Sequence, residues 1–152
     1  MVQSILAKVQ PFSIKVYGLD GLGKRCGEFS GFLYCSDPLI FTSGHAYEFG
    51  KSSSSSGAVS FTAVYDGGME EALFIEALPL PGTDAMLLRG SKAGATLYAT
   101  NASRADVVYI LGFRLGSHEL SIDKGMVSSS SIGAWFVTAH ADVGQLGGHV
   151  SV

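Results

Sequence analysis

The sequence predicts an all-β fold, and three observations carry that prediction. Short runs rich in Val, Ile, Phe, Tyr and Thr recur between Gly, Pro, Ser and Asp, as expected of short strands joined by turns. Twenty glycines suit the many tight turns such a chain needs. No apolar repeat of helical period runs past about two turns. Many short strands at this spacing build a sandwich or a barrel.

The candidate strands are residues 13–18, 31–35, 39–42, 58–65, 72–78, 85–89, 95–100, 107–113, 120–128 and 134–138. Lys51-Ser52-Ser53-Ser54-Ser55-Ser56-Gly57 reads as a flexible surface loop. A break at 91–94 divides the chain into halves of similar size, 1–90 and 95–152. The second serine run, 128–131, reads as a hairpin connection, and Glu70-Glu71 as a solvated hairpin edge. Trp135 and Phe136 are neighbours on one strand, so their side chains face opposite sides.

The bulk numbers bound the function classes. A chain of 152 residues is one domain with room for a core. Its 47% hydrophobic and 15% charged residues argue for a compact fold and against disorder. Net charge is −3 and no Lys/Arg cluster stands out, which argues against a nucleic-acid surface. The first eight residues lack the basic and long apolar regions of a secretory signal. No stretch approaches the ~20 apolar residues of a membrane span. A soluble chain, away from membranes and with an intracellular location favoured, is the expectation. Cys26 and Cys35 are expected as free buried thiols. Neither they nor His45, His118, His140 and His149 show a metal-ligand spacing, so no metal and no cofactor is expected. His118 and His140 read as surface or strand residues.

Three stretches carry chemistry. The first is Ser30-Gly31-Phe32-Leu33, followed by Leu39-Ile40-Phe41-Thr42-Ser43-Gly44-His45-Ala46. A histidine at a strand end, with its backbone fixed, can present an imidazole that titrates near neutral pH. The second is Thr83-Asp84-Ala85-Met86-Leu87-Leu88, its aspartate 39 residues beyond His45. The third comprises Val108-Tyr109-Ile110-Leu111-Gly112-Phe113, Lys124-Gly125-Met126-Val127-Ser128, Phe136-Val137-Thr138 and Gly144-Gln145-Leu146-Gly147-Gly148-His149-Val150.

In order and spacing these stretches resemble the landmarks of trypsin-like serine proteases, nearest in style to the Deg-type and compact viral members. The resemblance covers Gly31 to Val150. It implies a chymotrypsin-like double β-barrel, the second barrel incomplete at its C-terminal end. The half at 1–90 carries His45 and Asp84, and the half at 95–152 carries the motif from Gly144 to Val150. In that family the histidine is the general base, and the aspartate orients it and stabilises its charged form. Gly144 and the Leu146 N–H stand at the oxyanion-hole positions.

Three departures from the family pattern stand out. Leu146 occupies the nucleophile position, and an alkyl side chain cannot attack a carbonyl. His149 stands where proline is usual. The sequence ends six residues beyond Leu146, without the strands that form the specificity pocket in active members. The resemblance therefore implies an inactive protease homologue used for binding or assembly, with a protein partner or a second copy covering the open second barrel. Two rivals stand beside it. One is an active serine endopeptidase, or a fragment of one, whose serine is replaced at 146 and whose substrate would be a peptide. The other is an unrelated β-barrel binding protein, which predicts that His45 and Asp84 lie far apart.

Overall fold

The structure is a computed structural model that describes residues 2–34, 37–43, 60–78, 85–92, 102–131, 134–138 and 149–151. Among these residues a helix α1 (Val2–Val9) and a 3-10 turn (Gln10–Phe12) lead into ten strands. These are β1 (Ser13–Leu19), β2 (Arg25–Tyr34), β3 (Leu39–Ser43), β4 (Ser60–Val64), β5 (Glu70–Ala77), β6 (Ala85–Arg89), β7 (Val107–Phe113), β8 (Leu120–Ser131), β9 (Ala134–Thr138) and β10 (His149–Ser151). Strands β1 to β6 close into a barrel in the order β1-β2-β3-β6-β5-β4. Strands β7 to β10 form a four-stranded sheet in the order β10-β7-β8-β9. Among the described residues the regular structure is β apart from the short helix and the 3-10 turn, as the strand pattern predicts.

Period-two alternation builds the barrel core. Ile14 and Val16 of β1, Leu33 of β2, Ile40 of β3, Phe61 and Ala63 of β4, Leu73 of β5, and Met86 and Leu88 of β6 point inward and are buried. The other face of β1 is buried as well. Lys15 lies under the β7–β8 connection, and the Arg25 guanidinium stacks 3.7 Å from the centre of the Tyr17 ring. Gly31 of β2 has no room for a side chain beside β3. A Cβ there would lie 2.8 Å from the Phe41 carbonyl oxygen.

Some elements differ from the sequence reading, for identifiable reasons. Strand β2 begins at Arg25, six residues before the apolar run at 31. Its early half is charged and glycine-containing, and the main-chain ladder to β1 holds it, with Tyr17 opposite Glu28 and Leu19 opposite Arg25. Asp20 shapes the connecting turn. Its carboxylate accepts the N–H groups of Leu22 and Lys24, both at 2.9 Å.

The serines 128–131 are not a hairpin connection. They continue β8 and pair with β9, Ser130 opposite Trp135 and Ser131 opposite Ala134, after a register shift at Ser128. Composition points to a loop there, but ladder bonds use the main chain and accept serine readily. Glu70 is exposed and bridged to Arg25, as a solvated edge should be. Glu71 is part-exposed but engaged. It accepts hydrogen bonds from the Ser91 N–H and hydroxyl and from the Tyr65 hydroxyl, which ties down the chain leaving β6.

Cys26 is free and half-buried, and its thiol donates to the Gly18 carbonyl. Burial pushes that thiol's pKa up, and the Asp20 charge adds to the effect. Cys35, the serine run at 52–56 and the candidate strand at 95–100 lie outside the described residues.

Helix α1 is the element that strand reasoning passes over. Eight residues give only two turns, too short for periodicity to stand out. Its Val9 clusters with Tyr109, Leu111 and Leu120 of the second sheet, and Ile5 and Leu6 of the same helix face, with Phe113 and Ile122, pack against that cluster. Pro11 stands two residues beyond Val9, inside the 3-10 turn, where an α-helix cannot continue. No described helix is long and apolar enough to cross a membrane.

Candidate active-site framework

His45, Asp84, Gly144 and Leu146 lie outside the described residues, as does His140. The strands that lead to and from them are described, and their register is informative. Strand β3 ends at Ser43, two residues before His45, and β6 begins at Ala85, one residue after Asp84. Ser43 and Ala85 are partners in the β3–β6 ladder. The chain thus leaves β3 towards the histidine at the point where it enters β6 from the aspartate. Strand β10 begins at His149, three residues after Leu146, and pairs with β7 through His149 opposite Leu111.

These strand ends are joined across the seam between the two halves. Ser30 of β2 is at the centre of the junction and is 1% exposed. Its hydroxyl accepts the N–H of Phe113, at the end of β7, at 2.8 Å. Its carbonyl accepts the Thr42 hydroxyl of β3, also at 2.8 Å. A continuous path therefore runs from His149 opposite Leu111, along β7 to Phe113, through Ser30 to Thr42 and Ser43, and on to Ala85. The small residue before Gly31 is legible as part of a motif. Its role as the polar pin of the seam is not, because that role needs a partner 83 residues away.

A second junction lies beside the first. The Lys15 ammonium donates to the Ser117 carbonyl at 2.6 Å and bridges Glu28 at 3.0 Å. The other Glu28 oxygen accepts the Gly116 N–H at 2.8 Å. Two barrel side chains thus grip both main-chain groups of the β7–β8 turn, where Gly116 adopts φ +77°. Burial by itself pushes the Glu28 carboxyl up. The hydrogen bonds from Lys15 and Gly116, and the Lys15 charge, outweigh it and leave the group below its usual value. Lysine is almost never this buried without a partner, and here it is 3% exposed with two.

His118 is exposed on the β7–β8 connection. It lines a cleft of about 200 Å³ with Gln10, Gly67, Gly68, Phe113 and Leu120. That is smaller than the roughly 300 Å³ at which drug-sized ligand sites begin. Among the described residues no group of three His, Cys, Asp or Glu side chains could hold a metal ion.

No family model and no curated protein matches the sequence. Solved structures do match the fold. A serine endoprotease from Yersinia pestis superposes with a TM-score of 0.79 at 16% identity, over 99% of this chain and 53% of that one. The HtrA-type protease AlgW with a tripeptide gives 0.76 at 16% identity, over 99% and 50%. A protease from M. tuberculosis in its active form gives 0.77 at 17% identity, over 97% and 67%. The chain spans about half the length of the first two. At this identity the likeness shows the fold, which is that of trypsin-like, HtrA-type serine proteases.

Proposed function

We propose that this chain is a non-catalytic, protease-like module that acts by binding or assembly. The observation that supports the reading is Leu146, set in Gly144-Gln145-Leu146-Gly147-Gly148 just before β10, at the position that the motif resemblance to trypsin-like proteases assigns to the nucleophile. Nucleophilic catalysis needs an activated hydroxyl or thiol at that point, and leucine offers neither. His45 and Asp84 then serve as a structural pair at the strand ends of the barrel. The second sheet, with β9 and β10 at its edges among the described residues, is the surface a protein partner or a second copy would extend. Fold alone does not assign this role, since one fold hosts many functions.

The similarity to serine endoproteases favours a second reading, in which residue 146 is a serine in the parent sequence. In that enzyme His45 is the base, Asp84 orients it, and Gly144 and the residue 146 N–H bind the oxyanion. Labelling with a fluorophosphonate probe separates the two. The expected result is no adduct on the native chain, with or without one on Leu146→Ser. A native adduct that disappears in His45→Ala would overturn the proposal and require a nucleophile elsewhere in the sequence.

A further inference from the structure

Helix α1 belongs by chain connection to one half of the molecule and by packing to the other. It runs through Gln10-Pro11-Phe12 straight into β1 of the barrel, yet its apolar face lies on the second sheet. Phe12 packs against the barrel core, and Val9 is buried against the sheet. Between these two anchors stand Gln10 and Pro11, both exposed. A helix of eight residues is too short to persist alone in water, so α1 is helical because it is docked.

We infer that α1 exchanges between copies, the helix of one molecule seating on the second sheet of another to give a domain-swapped dimer. The exchanged pair remakes each apolar contact of Ile5, Leu6 and Val9 with the same partners, so it requires no new interface. What changes is confined to the turn. Two hydrogen bonds close it: the Ser13 hydroxyl donates to the Val9 carbonyl at 3.0 Å, and the Ser13 N–H donates to the Gln10 carbonyl. Gln10 precedes a proline, and a residue in that position favours the extended region, the conformation an opened hinge adopts. Pro11 has no N–H to lose when the turn opens.

Disulfide trapping tests the exchange, in chains whose Cys26 and Cys35 are replaced by serine. Leu6→Cys and Ile122→Cys in one molecule are expected to give an intramolecular bridge, because both side chains pack against the same cluster of Val9, Tyr109, Leu111 and Leu120. Chains carrying Leu6→Cys alone and Ile122→Cys alone are then mixed and oxidised. A covalent heterodimer is expected, growing with concentration. Ser13→Ala should raise its yield about fivefold, the worth of one hydrogen bond. Leu22→Cys, at a hairpin tip that is 92% exposed, reports random collision when mixed with Ile122→Cys. The proposal is overturned if the intramolecular bridge fails, if it forms and no heterodimer does, or if the Leu22→Cys mixture yields as much.

Discussion

Replacing Lys15 by methionine is expected to lower stability by about 3 kcal/mol and to loosen the β7–β8 connection from the barrel. The lysine is 3% exposed and its Glu28 partner 19%, so the substitution leaves a carboxylate in a part-dry seam without its cation. It also removes the donor to the Ser117 carbonyl. Methionine fills a similar volume, which keeps the loss electrostatic rather than steric. Urea unfolding measures the stability, and amide exchange at Phe113, Gly116 and Ser117 reports the connection. Those amides should exchange faster in the variant, while Ile14, Val16 and Leu88 in the barrel core stay protected.

The pH dependence has a definite sign. A carboxyl whose folded pKa is depressed contributes stability above its unfolded value, about 4.3 for glutamate. That contribution disappears as pH falls through the folded value. The gap between native chain and Lys15→Met is therefore wide at neutral pH and narrows in acid. A gap that held constant would show that packing, not the ion pair, is what Lys15 supplies.

Gly31→Ala is expected to cost about 2 kcal/mol, a fall in Tm of roughly 6 °C for a chain of this size. The new Cβ would meet the Phe41 carbonyl at 2.8 Å, Ile40 Cγ2 at 3.2 Å and Val16 Cγ2 at 3.4 Å. The nearest of these is backbone and cannot rotate away. Relief requires β2 and β3 to move apart beside the stacked Phe32 and Phe41 rings, whose centres are 5.4 Å apart. That movement displaces Thr42 and Ser43, which lead to His45. Thermal unfolding tests the cost, and Gly31→Val should fall further. Wild-type stability in Gly31→Ala would mean that the strands are not this close.

The fold was legible wherever apolar alternation was strong. Val107–Phe113 and Ala134–Thr138 are strands at the bounds the pattern predicts, because β-branched and aromatic residues fill them between turn residues. The early half of β2 and the serine end of β8 were not legible. Their pairing rests on main-chain bonds to a neighbour, which composition does not encode. Helix α1 was hidden by its length, since a two-turn helix depends on the sheet it docks against. The framework of the candidate site was half legible. Gly31, Thr42 and the start of β6 stand out as motif residues, whereas Ser30, Lys15 and Glu28 act through partners far along the chain. A buried lysine in a strand reads as a solvated residue until the turn above it is known.

Titration of the His45 imidazole by NMR, in the native chain and in Asp84→Asn, tests most directly whether the ends of β3 and β6 form a trypsin-like pair. The other three histidines serve as internal references. A carboxylate beside the ring favours the charged imidazole, so a paired His45 should titrate at lower pH in Asp84→Asn than in the native chain. Identical titration in the two chains would contradict the pairing and leave His45 an ordinary strand-end histidine.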